Sequence, residues 1–314
     1  MFLKSEELWN QTIMLSVLDK NKLDFIDCAG TAWPLGTFPI IPARSKDSKR
    51  FYPSDGDGFR AGKIEYDALA ISVYLAINEN KSDGNQVCAI ELGASASPWV
   101  LTFAKHTLSL SNARVNTIAI EAGKVKKITQ LFWRRNGLKF RTTTGIGRFS
   151  FKGERFTSVF IRGIATNKTG KMFFPKVDIS KDNGAAGAMI LTQLDRRGKI
   201  GFNQVKAIDV LEMLKMCSKV SFLHMDVQGS EVEIMQDPRF GTSLKNVEVL
   251  LMGTHSEEAD RLAQDINGKY GFTLIAGNPM KPGGPNGEWP VDGEFLLVSQ
   301  SALNTLIKAG MLTL

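Results

Sequence analysis

Cysteine, histidine and long apolar runs are the scarce features of this chain: 314 residues hold three of each of the first two. Cys28, Cys88 and Cys217 stand far apart in the sequence and match no disulfide or zinc spacing, so neither a stapled scaffold nor a zinc module is expected. Thiols without a pairing pattern fit a reducing, cytoplasmic setting. No segment is apolar for long enough to cross a bilayer as a helix. The first residues carry Glu6 and Glu7 and only a short apolar run, 12–18, which does not read as a signal peptide. Blocks of Lys and Arg are missing as well. The formal charge of +7 is mild for this length and is spread out, and no basic stripe interleaved with aromatics is visible, so nucleic acid is not an expected partner.

What the chain does have is a 43% hydrophobic content, enough for one large core or two small ones. The stretch 87–97, VCAIELGASAS, organises the reading. Val87 to Ile90 suits a strand buried on both faces, and Glu91 and Leu92 end it. Gly93 and the small residues from Ala94 to Ser97 suit a sharp turn that brings the backbone close to a ligand. Pro98, Trp99, Val100, Phe103 and Ala104 then open a helix, with proline in the favoured first turn. Strand, tight turn and helix is how an open α/β sheet begins a nucleotide site. A diphosphate-binding loop wants three glycines, and here Ser95 and Pro98 stand where the second and third belong. S-adenosylmethionine, which has no phosphate, tolerates such a loop.

The rest of the chain alternates strands and helices. Residues 1–60 read as an irregular N-terminal cap or lid, with an amphipathic helix over 5–18 and a proline-rich segment over 30–53. A helix is expected over 65–80. The strand 115–120 ends at Glu121 and Ala122, and an acid there can accept from both hydroxyls of a ribose. A helix over 125–135, a hairpin or loop over 138–156, a strand over 157–164 and a turn at Ala165-Thr166-Asn167 follow. A helix over 207–217 has Asp209 as a candidate N-cap. The run 220–235, VSFLHMDVQGSEVEIM, is a strand ending in Asp226, broken by Gly229 and continued as a helix. A strand over 247–252 leads to Gly253-Thr254-His255, a helix spans 257–270, and strands over 272–276 and 294–299 close the chain without a helix between or after them. Two final strands with no helix between them imply a mainly parallel, doubly wound sheet with a terminal antiparallel strand.

LHMDVQGSEVEIM resembles the signature of FkbM-type methyltransferases, and AIELGASASPWV, IAIEA, RGIATNKTGKMFF and GTHS are similar to further motifs of that family in the same order. The resemblance covers about residues 26–299. It departs at His224, where the family has lysine, at Gln228, where it has glutamate, and at Gly253, where it often has an acid. The resemblance implies a Rossmann-like domain over 61–314 with a seven-stranded sheet in the order 3-2-1-4-5-7-6. It also implies S-adenosylmethionine as cofactor and methyl transfer to a hydroxyl of a small molecule such as a sugar, glycan or secondary metabolite. Glu91, Leu92, Gly93, Ala94, Ser95, Trp99, Glu121, Ala122, Ala165, Thr166, Asn167 and Asp226 are the expected cofactor residues. Asp226 and His255 are the expected catalytic pair: His255 suits a base because a free imidazole titrates near neutrality, and Asp226 suits orienting the hydroxyl, stabilising the sulfonium or acting as the base itself. No metal is assigned. A nicotinamide oxidoreductase and a non-catalytic nucleotide-binding protein are the competing readings.

Overall fold

The computed structural model describes residues 2–4, 8, 15–19, 24–27, 32–34, 59–79, 86–94, 97–123, 141–142, 148–152, 155–175, 202–281 and 292–313. Seven strands form the central sheet: β1 (Gln86–Leu92), β2 (Arg114–Glu121), β3 (Phe156–Arg162), β4 (Phe222–Met225), β5 (Val249–Thr254), β6 (Phe272–Asn278) and β7 (Gly293–Ser299). Their spatial order is 3-2-1-4-5-7-6. β3, β2, β1, β4 and β5 run parallel, whereas β7 is antiparallel to both β5 and β6. The sheet is therefore the α/β arrangement expected from the sequence. Beyond β3 it continues into an antiparallel hairpin, Arg148–Lys152 and Arg141–Thr142, giving nine strands in all.

Helices cover both faces. α1 (Phe59–Glu79), α2 (Pro98–Leu110) and a C-terminal helix pack on one side, and α3 (Val210–Lys215), α4 (Glu231–Gln236) and α5 (Glu257–Asp265) on the other. Strand periodicity divides the core accordingly. Val87 and Ala89 face the α1 side with Phe222, Val249 and Leu251, while Ile90, Leu92, Leu223, Met225, Leu250 and Met252 face the opposite side. Each fully buried aliphatic side chain contributes roughly 1.5–3 kcal/mol. Helix starts follow local chemistry. Pro98 occupies the first turn of α2 after Ser97, which holds a left-handed φ of 58°. Asp209 caps α3 by accepting from the amides of Leu211 and Glu212, and Ser256 caps α5 by accepting from that of Ala259.

Several expectations change. Residues 207–209 belong to a strand, Phe202–Asp209, rather than a helix, because they pair with Ile164–Thr166, while residues 202–207 pair with Gly170–Pro175 on the other side. The end of the expected helix over 5–18 is a strand, Leu15–Asp19, paired with Asp24–Asp27. The chain does not end on strands alone: α6 (Gln300–Lys308) follows β7, capped by Ser299 and anchored by Ala302, Leu303 and Leu306. The expected helix over 125–135 and most of the proline-rich segment lie outside the described residues.

The strand ends are held in one row. Leu92, Met225, Met252 and Phe295 are register partners across β1, β4, β5 and β7, so Gly93, Asp226, Gly253 and Glu294 follow side by side. Gly93 has a φ of 77°, and a Cβ there would collide with the Asp226 carbonyl oxygen. The bare backbone needed at this turn thus accommodates the neighbouring strand end. Gly93→Ala is expected to destabilise the protein by about 3 kcal/mol or more, through both strain and collision. Gly229→Ala, at φ 103° with open space around it, should cost only about 1 kcal/mol. Equal losses in thermal melting would contradict the contact.

Candidate functional site

Asp226 stands at the end of β4, its amide donating to the Leu92 carbonyl at 2.9 Å. Its side chain is 30% exposed, whereas those of Glu91 and Glu231 are almost wholly buried. The turn after it carries Gln228 at φ 52° and Gly229 at φ 103°. Glu231, the first residue of α4, folds back over this turn. Its Oε1 accepts from the Val227 amide at 3.1 Å and its Oε2 from the Gly229 amide at 2.7 Å. Its Oε1 also meets His255 Nδ1 at 2.7 Å. His255 Nε2 then lies 3.3 Å from Asp226 Oδ1 and 3.6 Å from Asp292 Oδ2.

This geometry bears on the proton that His255 holds. Burial opposes its charge, but the bonds to Asp292 and Glu231 and the charges of Asp226 and Glu231 outweigh burial, and its pKa rises to about 11. A pKa that high favours the charged form of the ring at neutral pH, with Nδ1 donating to Glu231. The Gln228 amide nitrogen lies 2.8 Å from His255 Nε2 and 3.4 Å from Asp226 Oδ1, so in this orientation Nε2 faces a donor, and a ring protonated on both nitrogens requires the amide to turn its oxygen there. Asp226 is pushed up by burial and by Glu231 and Asp292, and drawn back down by His255 and His224.

The remaining expected residues fall into three groups. Glu91 is 1% exposed and turned inward: its Oε2 accepts from the Val100 amide at 3.1 Å, at the start of α2, and its Oε1 lies 3.9 Å from His224 Nδ1. That carboxyl group fastens helix to strand. Trp99, 2% exposed, packs edge-on against Tyr66 and His224 and is a core side chain. Leu92 and Ala94 are fully buried, and the amides of Gly93 and Ala94 both donate to the Ile120 carbonyl at 2.9 Å. Glu121 stays at the β2 strand end, partly exposed, with Oε1 accepting from the Gly123 amide at 2.5 Å, and Ala122 beside it is partly exposed too.

Ala165 and Thr166 are buried, and Asn167 bonds away from the row of strand ends. Its Nδ2 donates to the Glu233 carbonyl and to Asp237, both at 3.2 Å, and its own carbonyl accepts from Arg239 at 2.6 Å. Asn167 thus joins a knot with Arg239 and Asp237, Thr166 bonds to Asn167 and Glu233, and Ala165 packs in the core. Ser95 lies outside the described residues. His106 and His224 are buried, as expected of structural side chains.

Sequence reasoning missed Glu65 and Glu294. Glu65, on α1, is 5% exposed, and its Oε2 has no hydrogen-bond partner among the described residues; the same holds for Glu294 Oε2. Burial, then the charges of Glu294, Asp226 and Glu91, push Glu65 well up. Burial and the charges of Asp226 and Asp292 raise Glu294 to about 8. Two carboxyls, Glu65 and Asp67, at the head of the apolar helical stretch EYDALAISVYLA are the signal that could have drawn attention to Glu65.

No family model and no curated protein matches the chain. Among solved structures, PH1948 from Pyrococcus horikoshii, a candidate RNA methyltransferase, matches with 13% identity over 74% of this chain and 84% of its own, at a TM-score of 0.31. A likeness that slight carries no argument about activity.

A pH profile checks the charge on His255. Its folded pKa is raised, so its stabilising contribution is complete below about pH 6.5 and is lost as pH rises through about 11. The melting-temperature gap between the wild type and His255→Gln should be widest near pH 6 and narrow steadily toward pH 10. A gap that stays constant across that range would show that the ring carries no such charge.

Proposed function

We propose that this protein is an S-adenosylmethionine-dependent O-methyltransferase of the FkbM type, acting on a hydroxyl of a small molecule such as a sugar, glycan or secondary metabolite. The observation that carries the reading is the position of Asp226. It is a partly exposed carboxylate at the end of the fourth strand, beside the first βα turn, on a sheet that takes ligands at the carboxyl ends of its strands. Glu121 at the end of β2 suits the ribose hydroxyls. The FkbM-like motifs favour the family, and the acceptor class rests on that resemblance.

In the proposed reaction an acceptor oxygen attacks the methyl carbon of the sulfonium in line. The C–O bond forms as the S–C bond breaks, giving a methyl ether and the demethylated cofactor. The hydroxyl proton passes to the Asp226 carboxylate, which takes the role of base because His255 already holds its proton. Glu231 and His255 act through Asp226: they fix its turn and place a positive charge beside it. Positioning supplies much of the rate in such a transfer.

A nicotinamide enzyme on the same sheet is disfavoured by the first turn. Both amides that would meet a diphosphate, those of Gly93 and Ala94, are spent on the Ile120 carbonyl.

Calorimetry on the full chain tests the cofactor. S-adenosylmethionine and its demethylated product should bind and NAD should not; the reverse result would overturn the reading. Glu121→Ala should weaken the cofactor by about 1.5–3 kcal/mol without lowering the melting temperature. With a working acceptor, Asp226→Asn should reduce turnover about 10²–10⁴-fold at little cost in cofactor affinity. Full turnover in that variant would instead leave Asp226 without a role in the chemistry.

A further inference from the structure

Two thiols that lie far apart in the sequence meet in the folded chain. Cys88, on β1, faces the α3 side of the sheet with Ile90 and Leu92, and Cys217 packs against the same cluster just after α3. Both are free, and their side chains share a hydrogen bond. The backbone fixes each of them. The Cys88 carbonyl accepts from the Ser221 amide at 2.8 Å, which ties β1 to the segment entering β4, and the Cys217 carbonyl accepts from Asn246 Nδ2 at 2.8 Å. Cys217 Sγ also lies 3.5 Å from the Met213 carbonyl oxygen.

The two thiols are unequal. Cys88 is 9% exposed, whereas Cys217 is partly exposed and follows Met216, which is 81% exposed. An oxidant arriving from solvent therefore reaches Cys217 first. Acidity points the same way. The Cys88 S–H bonded to the Cys217 sulfur stabilises its thiolate and draws the Cys217 thiol down to about 7, against the effect of burial. The same bond, then burial and the charge of Cys217, push Cys88 well up. One sulfur is thus the nucleophile at neutral pH while its neighbour keeps the proton. A low-pKa, accessible cysteine beside a second one is the arrangement in which oxidation stops at a reversible step.

We propose that Cys88 and Cys217 are a reversible oxidation site, which a hydroperoxide closes to a disulfide between β1 and the end of α3. The Cys217 thiolate attacks one peroxide oxygen. An S–O bond forms as the O–O bond breaks, leaving a sulfenic acid on Cys217 and releasing hydroxide. The Cys88 sulfur then attacks the Cys217 sulfur. The S–S bond forms as the S–O bond breaks, and the departing oxygen leaves as water with the Cys88 proton. The two sulfurs lose the two electrons that the peroxide gains. Exchange with a small thiol reverses the bond. Cys88 lies toward the start of β1, away from Gly93 and the row of strand ends, so the site is separate from the candidate active site and does not depend on the methyl-transfer reading.

The test uses the full-length protein, reduced, freed of reductant and treated with hydrogen peroxide at pH 7. The remaining thiols are then alkylated and the protein is digested for mass spectrometry. A peptide pair joined through Cys88 and Cys217 is expected, with the loss of both thiols and their full return on adding dithiothreitol. Cys217→Ser should leave Cys88 reduced under the same treatment. Cys88→Ser should leave a sulfenic acid on Cys217 that dimedone traps, since no second sulfur is there to resolve it. The wild-type peptide map decides the matter even if a variant fails to fold. Cys88 and Cys217 both still open to alkylation after peroxide, oxidation of either without a bond between them, or a bond from either to Cys28 in its place would overturn the site.

Discussion

The constraint on which the rest depends is the close approach of Gly93 to the backbone of Asp226. Two parallel strands end level with each other, and the turn after β1 must pass against the carbonyl at the end of β4, where no side chain fits. That contact sets the height at which Asp226 emerges. It also directs the Gly93 and Ala94 amides toward the Ile120 carbonyl, which joins the first turn to β2 as well. Three strand ends are thereby locked together before any ligand is considered, and the turn's small residues are explained by the protein's own packing.

Charge is arranged around that lock in two layers. Glu91 and Glu231 are buried and act as fasteners, one holding the start of α2 and the other the turn into α4. Asp226, Glu65, Asp292 and Glu294 form the second layer, in which burial and the neighbouring acids hold Glu65 and Glu294 above the usual carboxylate range. His255 joins the two layers, with Nδ1 on Glu231 and Nε2 toward Asp226 and Asp292. A histidine between carboxylates is stabilised as a cation, which moves a residue type chosen for its near-neutral titration toward its charged form.

The strands and their ends were legible because apolar runs stop abruptly at Glu91, Glu121 and Asp226, and Pro98 marks a helix start without ambiguity. Their spatial order came from the family resemblance and agrees with the sheet. Which way each acid faces was harder to read. Val87, Ala89 and Glu91 share one side of β1, so strand alternation turns Glu91 into the α1 side of the core, whereas the position after the strand leaves Asp226 partly exposed. Glu294 becomes a neighbour of Asp226 only through the antiparallel register of β7 on β5, and Cys88 meets Cys217 only through the packing of α3 beneath the sheet. Sequence spacing contains neither relation. Helix α6 did have a visible signal, Ser299 as cap and an apolar stripe at Ala302, Leu303 and Leu306, which the preceding pair of strands overshadowed.

The central claim is that the row of strand ends centred on Asp226 is where the cofactor sits and where the methyl group is delivered. A crystal structure of the full chain with S-adenosylhomocysteine tests this most directly. The account predicts the ribose hydroxyls on the Glu121 carboxylate and the sulfur on the Asp226 side of the first turn, with Glu91 still bonded to the start of α2. A ligand bound away from the carboxyl ends of β1, β2 and β4, or with its ribose remote from Glu121, would contradict it.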